Sequence, residues 1–195
     1  MHINKTSLSS FIYSLNQFIM KKTKIFFALA ILLFAFSGFS AQSKQAKFEK
    51  EKTEISRMLD DFNVAAANAE FEKYFNFFAD ESTFIGTDAT EIWNKQEFKT
   101  WAKPYFDKKK TWNFTSVKRN IYFSKEGNLA WFDELLDTQM KICRGSGVVE
   151  KINGNWKVKQ YVLSMTVPND VVDKVVSEKA AMEDDILTEL KNNKK

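Results

Sequence analysis

Asp133 and Glu134 interrupt an apolar run between Trp131-Phe132 and Leu135-Leu136. Successive strand residues face opposite sides, so one of the two acids must point inward whichever register holds. A buried carboxylate needs a partner. Arg144, on the next strand-length run, offers a forked guanidinium suited to a carboxylate, whether that of Asp133, of Glu134 or of a ligand. The pattern therefore reads either as an ion pair that holds the fold or as the charged handle of a binding site. A second cluster follows Gly86-Thr87-Asp88, where Asp88 and Glu91 lie on a turn beside Trp93. Either acid is a candidate carboxylate base, with Arg144, Tyr74 or Tyr105 as electrophile; otherwise both are solvated loop acids. Trp93, Tyr105, Trp131 and Trp156, with Gln160 and Arg144, form a set able to wall a pocket for a small, partly apolar molecule, an anion if Arg144 is the handle.

Other chemistries lack a necessary part. The chain has one histidine, His2, and one cysteine, Cys143. Catalytic triads, Cys-His pairs and imidazole zinc sites are therefore excluded, and no metal or cofactor is expected. No glycine-rich dinucleotide loop, Walker-type loop or EF-hand loop occurs. Cys143 sits in a strand pattern and reads as a small buried hydrophobe. The formal charge of +4 is carried entirely by Lys5, Lys21, Lys22 and Lys24, in a segment without acids, and the rest of the chain is balanced. A balanced surface gives no footprint for nucleic acid.

That amino-terminal segment reads as a secretory signal over residues 1–40. Lys21, Lys22 and Lys24 precede an apolar run from Ile25 to Phe36, and small residues at Gly38 and Ser40 favour cleavage before Ala41. The run is too short to span a bilayer, so export without a membrane anchor is expected, with a periplasmic or secreted product. Met20 is a more usual start for such a signal than Met1.

The remaining elements must position the candidate residues. Phe48, Ile55, Leu59, Phe62 and Ala66 recur at helical spacing, predicting a helix from about Lys44 to Asn68. Phe71, Tyr74, Phe75 and Phe78 predict a second short helix, and Ser82 to Ile85 a short strand. Phe98, Trp101, Ala102, Tyr105 and Phe106 predict a third helix capped by Asn94. Four strand-length runs follow, 112–124, 129–140, 141–152 and 156–167, forming an antiparallel meander. An amphipathic closing helix is expected within 170–195. The economical fold class is α+β, one domain over 44–169.

In the last hairpin, Asn153-Gly154 tolerates positive φ and fixes the turn. Strand parity places Trp156, Val158, Gln160, Val162 and Ser164 on one face, taken as inward because Lys157 and Lys159 mark the other, so Tyr161 is expected to point outward. The glycines of Arg144-Gly145-Ser146-Gly147 suggest a bulge.

The element order, the Gly86-Thr87-Asp88 turn, the Ala130-Trp131-Phe132-Asp133-Glu134 strand and the hairpin from Arg144 to Ser164 together resemble the SnoaL-like branch of the nuclear transport factor 2 (NTF2)-like superfamily, over roughly Phe48 to Asn169. The resemblance implies a cone in which a bent sheet wraps helices and leaves a pocket at its open end, and frequent dimerisation through the sheet's outer face. It also implies carboxylate chemistry beside carbonyl groups. Ketosteroid isomerase uses an Asp base with a Tyr and a protonated Asp as oxyanion hole, and SnoaL-type cyclases rest on an Asp. Asp88 lies near the base position, whereas the oxyanion acid falls on Ser146-Gly147, where no acid stands. Three functions follow as expectations: a binding protein for a small molecule, a carboxylate acid-base enzyme, or a dimerisation or protein-interaction module.

Overall fold

The computed structural model describes residues 48–193. The expected signal segment lies outside them. The chain divides into two compact units, 1–51 and 52–195; of the first, only the helical residues 48–51 are described.

In the second unit, helical backbone through 67 (α1) buries Ile55, Leu59, Phe62, Ala65 and Ala66 on one face. Its end is closed by Ala69 at φ 54°, with Glu70 N–H donating to the Ala65 carbonyl at 2.8 Å, a left-handed cap usually filled by glycine. Helix α2 (Phe71–Asn76) is followed at once by strand β1 (Phe78–Ile85). Phe78 thus begins the strand instead of continuing the helix, because its backbone pairs with Val158. A short strand β2 (Ile92–Asn94), which no periodicity announces at that length, leads into α3 (Lys95–Asp107). Asn94 caps α3 as expected: its side chain accepts from Gln96 and Glu97 N–H, and Glu97 reaches back to Asn94 N–H at 2.9 Å.

Strands β3 (Phe114–Phe123), β4 (Leu129–Thr138), β5 (Lys141–Ile152) and β6 (Asn155–Met165) form the meander. The sheet runs β2-β1-β6-β5-β4-β3, antiparallel except where β1 joins β6 in parallel. Asn153 and Gly154 take φ 50° and 82° at the β5–β6 turn. The β4–β5 turn lacks such a dipeptide. There Lys141 takes the positive φ, 68°, that a glycine usually supplies, and the Thr138 hydroxyl braces the turn, accepting from Met140 N–H at 2.9 Å and donating to the Lys141 carbonyl at 2.8 Å.

A bulge resets the parity of β6. Val149 pairs with Val158 and Val148 with Gln160, leaving Lys159 as the extra residue. Trp156 and Val158 face the core as expected; beyond the bulge Tyr161 and Leu163 take that face and Gln160 leaves it, the reverse of the expectation from alternation alone. The bulge lies on the strand opposite the glycines, whose role is to leave room. A Cβ at Gly145 would collide with the Tyr161 hydroxyl, and one at Gly147 with the Gln160 carbonyl and the Phe132 ring.

After a turn of 3-10 helix (Asn169–Val171), α4 (Val172–Asn192) carries no buried residue. It is amphipathic, but it does not close the core. No described helix is long and apolar enough to cross a membrane.

Candidate functional site

Of the two acids in β4, the register sends Glu134 inward, where it is 1% exposed, and Asp133 to the other face. Glu134 does not meet Arg144. It pairs across the β3–β4 hairpin with Arg119, which approaches its Oε2 from Nε at 2.8 Å and from a terminal nitrogen at 2.7 Å. Tyr161, brought inward by the bulge, donates its hydroxyl to Glu134 Oε1 at 3.0 Å. Arg119 also donates to the Ser56 carbonyl at 2.9 Å and to Asp60 at 2.8 Å, tying α1 to the sheet. Burial works to lower the Arg119 pKa, but the charges and hydrogen bonds of Glu134 and Asp60 outweigh it and raise the value. Burial, then the Glu134 charge, pushes the Tyr161 phenol well above its ordinary range. Arg144 is exposed; it lies on the outer face opposite Leu135, because residues directly across a ladder share a face. Asp133, on that face too, accepts from the Asn120 amide at 3.0 Å.

The aromatic cavity lies elsewhere, between α3, the β1–β2 turn and the β4–β5 turn. It has a volume of about 150 Å³. Trp93, Phe98, Trp101 and Trp112 form its wall, Phe84 and Leu163 belong to the strands beneath, and Glu91, Thr87 and Gln139 are its polar residues. Most neighbouring rings are stacked, Trp93 on Trp101 at 4.8 Å and 29° and Phe98 on Trp101 at 5.9 Å and 22°, whereas Trp101 and Trp112 are tilted by 34°. Glu91 is half-buried, and its carboxylate fills the space that a Cβ on Gly86 would need. Its Oε2 accepts from Asp88 N–H at 3.2 Å.

Of the residues expected at the site, this cavity gathers Glu91 and Trp93. Asp88 is exposed outside it, and hydrogen bonds from the Thr90 hydroxyl and N–H, at 2.6 and 2.9 Å, lower its pKa; such a carboxylate is a weaker base, not a stronger one. Tyr105 is 43% exposed, does not line this cavity, and meets Trp101 at 4.9 Å with the rings tilted by 34°. Trp131 is 46% exposed on the outer face, stacked with Tyr122 at 6.0 Å. Trp156 is buried and borders a wider groove of about 670 Å³ with Asn76, Phe77 and Lys157. Gln160 is on the outer face, half-buried. Tyr74 is buried in the core, its phenol pushed up by burial against a weaker downward pull from Trp112. Sequence reasoning missed Trp112 and Trp101 as walls and Arg119 as the Glu134 partner. Counting back from the Ser124–Leu129 closure of the β3–β4 hairpin would have placed Arg119 opposite Glu134. Among the described residues no cluster of acids, cysteine or histidine is arranged to hold a metal.

The family profile of the SnoaL-like domain matches residues 55–168. The chain belongs to the SnoaL-like domain family. Solved structures share its NTF2-like fold. An NTF2-like protein of unknown function from Pseudomonas putida superposes with TM-score 0.53 at 13% identity, covering 63% of this chain and 92% of that one. A candidate dehydratase of the NTF2-like family from Streptomyces avermitilis superposes with TM-score 0.53 at 11% identity, over 62% and 99%. A candidate scytalone dehydratase from Novosphingobium aromaticivorans gives 0.50 at 16% identity, over 60% and 85%. At these identities the likeness concerns the fold alone. No curated protein matches the chain. In this SnoaL-like domain the buried acid and the open cavity are separate: Glu134 is buried against Tyr161 and Arg119, and Glu91 stands at the cavity.

Proposed function

We propose that this SnoaL-like domain is an exported binding protein for a small, ring-sized molecule held in the aromatic cavity. One observation carries the reading: a cavity of about 150 Å³ walled by stacked tryptophan and phenylalanine rings. A cavity of that order accommodates one benzene-sized group, whereas drug-sized ligands need roughly 300 Å³ or more. Export is supported by the basic and apolar segment before Ala41. Association of two copies through the outer sheet face belongs to the same reading, supported by the exposed Trp131 and Tyr122.

Catalysis is the second reading, favoured by the half-buried Glu91 at the cavity and by the candidate dehydratases among the structural relatives. It would make Glu91 the base. Binding is preferred because the described residues that line the cavity offer no second ionisable group to act as acid. Turnover abolished in Glu91→Gln would favour the enzyme.

Titration with toluene tests the binding reading. Tryptophan emission should change and the melting temperature should rise, as for any ligand that binds only the folded state. Trp101→Ala, which removes one wall at a partly exposed position, should weaken both responses about tenfold or more in concentration. Absence of either response in the parent protein up to the solubility of the probe would overturn the proposal.

A further inference from the structure

We infer that the ligand class of this cavity is a planar organic cation with N–H donors, a refinement that rests on the binding reading above. The shape comes from the rings. Phe98 and Trp112 lie within 21° of parallel, Phe98 and Trp101 within 22°, and Trp93 and Trp101 within 29°. Trp101 and Trp112 are tilted by 34°, so the wall offers aromatic surfaces of similar though not identical orientation, which suit a flat ring better than a branched group. The charge comes from two sources that agree. The faces of tryptophan carry the negative lobe of the ring quadrupole and attract cations. Glu91 is the one ionisable side chain among the described residues that line the cavity. Its carboxylate only accepts hydrogen bonds.

Glu91 is also held ready. The missing Cβ of Gly86 lets its carboxylate lie against the turn, and Asp88 N–H fixes Oε2 at 3.2 Å. Its Oε1 receives no hydrogen bond among the described residues. A forked N–H pair on the ligand matches a carboxylate so placed. An anion would meet this carboxylate with no countercharge in the wall, since Arg144 is on the outer face of the sheet and Arg119 is committed to Glu134 and Asp60.

Benzamidinium, benzamide and benzoate are nearly isosteric, each one planar ring bearing a planar head, and differ in charge. Calorimetric titration of the parent protein with all three, with tryptophan emission as second readout, isolates the charge preference. Benzamidinium should bind about ten- to a hundredfold more tightly than benzamide, the range of one charge-assisted hydrogen bond, and benzoate should bind most weakly. Glu91→Gln keeps the acceptor for Asp88 N–H and should cut the benzamidinium preference over benzamide at least severalfold, leaving only the share that the tryptophan faces supply. Equal affinities in the parent protein, a preference for benzoate, or a benzamidinium preference undiminished in Glu91→Gln would overturn the inference while leaving a ring-sized binding site. No binding of any of the three would overturn both this inference and the binding reading.

Discussion

Replacing Arg119 by Met keeps the apolar stem that lies between α1 and the sheet and removes the guanidinium. In the folded protein that guanidinium is 9% exposed at its side chain and holds Glu134 Oε2 by two nitrogens, at 2.8 and 2.7 Å. Without it, Glu134 keeps the Tyr161 hydroxyl at 3.0 Å as partner to a carboxylate that is 1% exposed. The Ser56 carbonyl loses the donor it has beyond the helix ladder, whereas Asp60 is open to water and re-solvates. Breaking a buried pair in this way costs about 3–5 kcal/mol, chiefly because one charge stays buried and uncompensated. Domains of this size are stable by about 5–15 kcal/mol, so the variant should stand near its unfolding threshold. Glu134→Gln keeps an acceptor oxygen for Arg119 and offers its amide N–H to the Tyr161 oxygen, and should cost less, about 1.5–3 kcal/mol. Arg119→Met with Glu134→Leu should recover most of the loss, because no charge is then stranded. Urea unfolding with a constant slope measures all three. A cost below about 1 kcal/mol for Arg119→Met, the range of an exposed pair, would refute the claim that this ion pair is sealed.

Tyr74 and Tyr161 both have phenols held well above the ordinary value, chiefly by burial. For such a group the stabilisation is complete below the unfolded pKa of about 10 and is lost as pH rises through the folded pKa, so urea midpoints should fall above about pH 10, by about 1.4 kcal/mol per pH unit for each tyrosine. Gly147→Ala would drive a methyl group into the Gln160 carbonyl, a backbone atom that cannot swing aside, and should cost about 3 kcal/mol by thermal or urea unfolding, the upper end for overpacking. Ala69→Gly should stabilise the domain by up to about 1 kcal/mol in the same assay, since φ 54° is strained for alanine and free for glycine.

Much of the fold was legible because local rules settled it. Asn94 announces a helix cap, Asn153-Gly154 announces a turn, and the helical spacing of Ile55, Leu59, Phe62 and Ala66 announces a buried face. The site was less legible because its position depends on a bulge. One extra residue, Lys159, inverts every later assignment on β6, exchanging Gln160 for Tyr161 at the core. No composition cue marks Lys159. The β4–β5 turn was obscure for a related reason: Thr138 stabilises it through a side-chain hydroxyl, and that signal is no stronger than any other threonine in a strand.

The same inversion decides what surrounds Glu134. Had alternation continued without the bulge, Gln160 would face the interior where Tyr161 now stands, and Glu134 would lack its second hydrogen bond. With Tyr161 inward, each oxygen of Glu134 has a partner, Arg119 on one and the phenol on the other, and at 1% exposure the carboxylate is out of a ligand's reach. The room for that phenol comes from Gly145, opposite Glu134 across one ladder and Leu163 across the other. The Arg-Gly-Ser-Gly segment therefore serves the core through its glycines, while its arginine is turned to the outer face. Removing Arg144 from the interior takes the positive handle away from any pocket, and the charge left at the aromatic cavity is that of Glu91. A site expected to attract an anion is thereby one built to receive a cation.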